Sequence, residues 1–76
     1  MQEWINSFMK NEVLQFGKKL RDVRLKKKLS QGDIARILGV HRSYISGLER
    51  GRRNPSLVTV HKVAKALGIS ANELLK

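Results

Sequence analysis

SQGDIARILGVHRSYISGLERG, residues 30–51, decides the fold of this chain. Ser30 is placed to cap a helix, because its hydroxyl can accept a backbone N–H. Asp33, three residues on, sets a carboxylate near the positive helix end. Ile34, Ala35 and Leu38 then share one helical face. Gly39 follows, where a left-handed residue ends a helix without steric cost, so Gly39-Val40-His41 is the turn. A second helix over about 42–50 turns Ile45 and Leu48 inward, and at about 100° per residue Ser43, Ser46, Gly47 and Arg50 lie opposite them. That outer face is small and polar, with Arg42 and Arg50 at its ends, and Gly51 closes the helix. The spacing therefore predicts two short helices joined by a tight turn.

Upstream, a longer helix is expected from about residue 12 or 13 to residue 27, with Val13, Phe16, Leu20 and Val23 as its buried stripe. Arg24 falls on the same stripe. A guanidinium facing a core costs several kcal/mol, of order, unless it is paired and hydrogen-bonded. Glu49, at the inward edge of the second motif helix, is the partner expected for it. Residues 1–12 come before this helix, and Trp4, Ile5, Phe8 and Met9 form an amphipathic stripe there. Two readings stay open for it: a flap over the core, or a subunit interface anchored by Trp4 and Phe8.

Downstream, Arg52-Arg53-Asn54-Pro55 is a basic loop that the proline keeps out of any helix. Ser56 is expected to cap a helix whose inner stripe is Leu57, Val60, Ala64 and Leu67, ending at Gly68, with His61 packed near that stripe. Ser70 and Glu73 read as a capping box for a last short helix. Its apolar residues, Leu74 and Leu75, are a second candidate for a dimer interface. No strand-like alternation, repeat or low-complexity segment is present. The expected fold is all-α: a compact five-helix domain over residues 13–76, with a helix-turn-helix motif at about 31–50, preceded by an amphipathic N-terminal extension over residues 1–12.

Seventy-six residues allow one domain with a modest core. Sixteen Lys and Arg against six Asp and Glu give +10, which points to a polyanionic partner, nucleic acid being the commonest. Residues 1–12 sum to −1 and residues 13–29 to +6, so the positive charge flanks and includes the two-helix unit. Without Cys there is no disulfide framework and no thiolate metal site, and two isolated histidines suggest no metal. No apolar run approaches the roughly 20 residues of a membrane span, and the N-terminus lacks a signal-peptide layout. A cytoplasmic protein with no membrane partner is expected. There is no clustered nucleophile and base, and the glycines read as helix-end residues rather than a phosphate loop. No enzyme and no cofactor are therefore expected.

Residues 16–75 resemble the phage-repressor and Cro-like (XRE-type) helix-turn-helix family. The matching positions are Leu20, Arg24, Ser30-Gln31, Ala35, Gly39, Ile45, Glu49, Gly51 and the helix between Pro55 and Gly68. The run HRSYISGLERGRRNPSL is similar to the controller proteins of restriction-modification systems. The resemblance implies a bacterial, phage or plasmid-encoded transcription regulator that binds double-stranded DNA as a homodimer on a (pseudo)palindromic operator, with the third helix in the major groove. By position it implies Arg42, Ser43 and Ser46 as base-edge readers, with Arg42 matched to guanine O6 and N7 or, alternatively, to a phosphate. Gln31, His41, Tyr44, Arg50, Arg52, Arg53 and Asn54 would hold the DNA backbone. Gly47 departs from relatives that carry a reading side chain there, which moves part of the specificity to DNA shape. The alternative is an antitoxin whose N-terminal segment also grips a protein partner.

Overall fold

Nothing between residues 2 and 16 breaks a helix, since that stretch holds neither Gly nor Pro. The chain accordingly begins with one uninterrupted helix, α1 (Gln2–Lys26), followed by α2 (Gln31–Leu38), α3 (Arg42–Glu49), α4 (Leu57–Leu67) and α5 (Ala71–Leu75). This computed structural model describes the backbone of residues 2–75 and the side chains of residues 11–75. The backbone stays helical across residues 12 and 13, so the N-terminal extension lengthens the first helix instead of forming an element before it. The Trp4 and Phe8 side chains lie outside the described residues.

The core joins all five helices: Phe16 and Leu20 from α1, Ile34 and Ala35 from α2, Ile45 and Leu48 from α3, four residues of α4 and Leu74 of α5. Three expectations fail at this level. Leu57 is 68% exposed, because it is the first residue after the Ser56 cap, and the inner stripe of α4 is Val60, Val63, Ala64 and Leu67. His61, one residue round from Val60, is exposed. Leu74 is 1% exposed and belongs to the core, whereas Leu75 is 56% exposed, so of these two only Leu75 is available to a partner.

Local chemistry sets the helix ends. Ser30 Oγ accepts from Asp33 N–H at 2.9 Å, and Asp33 Oδ2 accepts from Ser30 N–H at 2.8 Å, a complete capping box. Ser56 Oγ accepts from Thr59 N–H at 3.1 Å. At α5 the bond is instead backbone to backbone, Glu73 N–H to Ser70 O at 3.1 Å, in place of the expected box. The α1 terminus closes with Leu29 N–H on Arg24 O at 3.0 Å and Lys28 at φ 59°. This is a Schellman-type stop that uses a lysine where Gly is usual.

Gly17 corrects the expectation that every glycine marks a helix end. It sits inside α1, and a Cβ there would lie 2.4 Å from Leu48 O and 2.7 Å from Glu49 O. The α1 backbone touches the last turn of α3 at this point, which fixes how far α3 stands off the core. Gly51 is doubly constrained: its φ is 75°, and a Cβ would meet Leu14 Cδ2 at 2.4 Å.

Candidate nucleic-acid interface

The site starts from a charge that the core has to accommodate. Arg24 faces inward on α1 and is 8% exposed. Its Nε donates to Glu49 Oε2 at 2.6 Å and its Nη2 to Glu49 Oε1 at 3.0 Å, a fork-to-carboxylate pair. Nη1 donates to Leu29 O at 2.8 Å, the carbonyl presented by the closing turn of α1. Hydrogen bonding to Glu49 holds the Arg24 guanidinium above its usual pKa, although burial alone would lower it. Gln31 Nε2 adds a third donor to Glu49, 3.0 Å from Oε1. Four segments thus meet around the Arg24–Glu49 pair: α1, its closing turn through Leu29 O, the start of α2 through Gln31 and the end of α3. Among the described residues, no buried side-chain N or O lacks a partner.

With Ile45, Leu48 and Glu49 turned inward, the other side of α3 faces solvent. Arg42, Ser43 and Arg50 are exposed and Ser46 is half-buried. None of these four side chains takes part in the hydrogen bonds found among the described residues. Arg42, Ser46 and Arg50 border a polar cleft together with Arg21, Ser30 and Gln31. Arg21, which the sequence turns away from the core toward solvent or phosphate, joins this cleft. It stands one helical turn before Arg24, beside it on α1.

The remaining expected contacts divide. His41 is exposed at the N-cap of α3 and makes no side-chain capping bond, so its imidazole is accessible. Gln31 is less available than expected, since one amide N–H is committed to Glu49. The Tyr44 hydroxyl, expected on a phosphate, lies 3.5 Å from Thr59 Oγ1 on α4, and its ring packs against the core. Arg52 and Arg53 are exposed. Both donate their backbone N–H to Gly47 O, at 2.8 and 3.3 Å, tying the loop to α3. Asn54 stands apart: it borders the apolar groove of Val13, Phe16, Pro55, Leu57 and Leu75, away from the cleft. Among the described residues there is no group of three or more His, Cys, Asp and Glu side chains placed to hold a metal. No described helix is long and apolar enough to cross a membrane.

Comparison with known proteins places this geometry. A Helix-turn-helix profile, HTH_3, matches residues 20–74. Control protein C.BamHI from Bacillus amyloliquefaciens is 46% identical over 69 residues, covering 88% of this chain and 85% of that protein. The solved structure of the restriction-modification controller protein C.AhdI from Aeromonas hydrophila is 47% identical, with a TM-score of 0.80 over 84% of this chain and 97% of that one. The controller protein C.Esp1396I, solved as a tetramer in complex with its natural 35 base-pair operator, is 29% identical, with a TM-score of 0.71 over 84% of this chain and 95% of that one.

Proposed function

The chain belongs to the Helix-turn-helix (HTH_3) family, and from that premise we propose that it is a sequence-specific regulator of transcription that binds double-stranded DNA as a homodimer on a (pseudo)palindromic operator. The observation that carries this reading is the division of α3. Its inner side is fixed by Ile45, Leu48 and the Arg24–Glu49 pair, and its outer side offers Arg42, Ser43, Ser46 and Arg50 to solvent. A helix held this way can enter a major groove with its N-terminal residues on base edges and without reorganising.

In this reading Arg42 offers its fork of donors to guanine, and Ser43 and Ser46 meet neighbouring base edges. Arg50, Arg52, His41 and the second N–H of the Gln31 amide hold phosphates, with Arg21 across the cleft as a further cation. The relatives supply independent support: all three are named as control or controller proteins, and one of them, C.Esp1396I, was solved on its operator. Residues 13–76 form the DNA-binding domain, and the described part of the N-terminal extension, residues 2–12, lengthens its first helix. The role is regulatory and not enzymatic.

One recognition helix reads only a few base pairs, so useful specificity needs two copies about one helical turn apart. For the second copy we assign the face where Leu57, Val58 and Leu75 are exposed beside the groove lined by Val13, Phe16 and Pro55. Exposed apolar groups clustered at the mouth of an apolar groove suit a self-complementary two-fold contact.

The reading is tested by selecting sites from a random duplex pool with the full chain at near-physiological salt. The expected result is an inverted-repeat consensus with half-site centres about 10 base pairs, or a multiple of that, apart. Leu57→Asp should leave a monomer by sedimentation and abolish the two-fold symmetry of the selected site. A pool that yields no consensus would overturn the proposal.

A further inference from the structure

Glycine inside a helix costs stability relative to alanine, and Gly47 lies in the middle of α3 on its outward side. The space where its side chain would be is occupied. A Cβ at Gly47 would fall 2.7 Å from Arg53 Cγ, 3.7 Å from Arg53 Cβ and 3.8 Å from Arg53 Cδ, and no other residue comes as near. The aliphatic stem of Arg53, arriving from the loop after α3, lies in the place left by the missing side chain. The loop is pinned there by the two backbone bonds from Arg52 and Arg53 to Gly47 O.

The head of the side chain also has a direction. Arg53 Cζ stands 5.9 Å from the centroid of the Tyr44 ring. Tyr44 is three residues before Gly47, one turn nearer the N-terminus of α3 on the same flank. Arg53 therefore enters at Gly47 and runs along the helix toward its N-terminal end. The Tyr44 ring that supports the guanidinium is itself held by the core and by the Thr59 contact. A cation that only had to meet a phosphate would need neither a glycine cut out for its stem nor a ring beneath its head.

We propose that Arg53 is a base-reading residue supplied from outside the recognition helix: it replaces the side chain that Gly47 lacks and presents its fork of donors to guanine O6 and N7. The inference rests on the reading that α3 enters the major groove. It changes the role of Arg53 from a backbone contact to a determinant of specificity, and it makes Gly47 the residue that permits this. Tyr44 positions the guanidinium and does not itself read a base.

The test uses the full chain and the duplex selected by the wild type, together with a panel in which each base pair of one half-site is changed singly. Five proteins are titrated: wild type, Arg53→Ala, Arg53→Lys, Gly47→Ala and the Gly47→Ala/Arg53→Ala double variant. The wild type should disfavour replacement of one guanine pair by about tenfold or more. Arg53→Ala and Arg53→Lys should both erase that preference while leaving the other positions discriminated, because lysine keeps the charge but not the fork. Gly47→Ala should weaken the same preference with a melting temperature no lower than wild type, and the double variant should be no worse than Arg53→Ala. A uniform loss across the panel for Arg53→Ala, restored by Arg53→Lys, would overturn the inference and return Arg53 to the backbone while leaving the proposed function standing. A wild type with no preference at any position would overturn both.

Discussion

Two sides of one eight-residue helix, α3, stand in opposite environments. On the inner side Ile45 and Leu48 have no exposed surface, and the Glu49 side chain, 4% exposed, is bound by Arg24 and Gln31. On the outer side Arg42, Ser43 and Arg50 stand in solvent. Chemically similar groups therefore do different things: the guanidinium of Arg24 is used up inside the fold, and that of Arg42 is left for another molecule. The contrast teaches that stability and recognition are separable here, and substitutions on either side should show it.

The largest effect is expected on the inner side. Glu49→Ala leaves the Arg24 charge buried without its carboxylate and should cost about 3–5 kcal/mol of folding stability, read from urea unfolding. Replacing both residues by apolar ones should recover much of that loss; a double variant no better than the single would show that the pair is more than a buried charge and its partner. Gly17→Ala comes next. Its Cβ meets backbone oxygens of α3 that cannot swing aside, so about 1–3 kcal/mol of overpacking is offset by up to about 1 kcal/mol of helix propensity. A tilted α3 should also weaken binding to the selected duplex, linking the inner side to the outer.

Smaller effects are expected at the helix ends. Lys28 holds a left-handed φ of 59°, so Lys28→Gly should stabilise by about 0.5 kcal/mol, the difference between relief of left-handed strain and the extra entropy of glycine. Base preference should not change. Asp33 is the smallest. The Ser30 backbone N–H bond, with Ser30 Oγ and Arg36 assisting, lowers its pKa below 3.8. A depressed folded-state value contributes stability above the unfolded pKa and loses it as pH falls through the folded one. The wild type should therefore loosen at the start of α2 below about pH 3.8, and Asp33→Ala should flatten that part of the unfolding profile.

The sequence carried the parts of this arrangement that depend on local spacing. Ser30 and Asp33 stand three apart, Gly39 and Gly68 follow apolar residues, Gly51 follows the second motif helix, and Ile45 and Leu48 share a face. Arg24 falls on one apolar stripe and Glu49 on the edge of another, so even this distant meeting has a signal in one dimension. What was illegible depends on approach between helices. Gly17 looks like any glycine until the α3 carbonyls are seen against it. Leu57 and Leu74 exchanged roles because a helical wheel gives the face of a residue but not whether the helix end still has a neighbour there. Tyr44 and Arg53 lean across elements, one toward α4 and the other over Gly47, and periodicity within a single helix records neither.

The most direct test of the division between the two sides of α3 is to titrate wild type and Arg42→Ala against the selected duplex and a scrambled one at near-physiological salt. The expected result is a wild-type preference on the order of 10³-fold or more. It should be relaxed at one base pair in Arg42→Ala, whose folding stability should stay within about 0.5 kcal/mol of wild type. Equal affinity for both duplexes, unchanged by the substitution, would contradict the account, because the outer side of α3 would then be a solvated surface and not a reader.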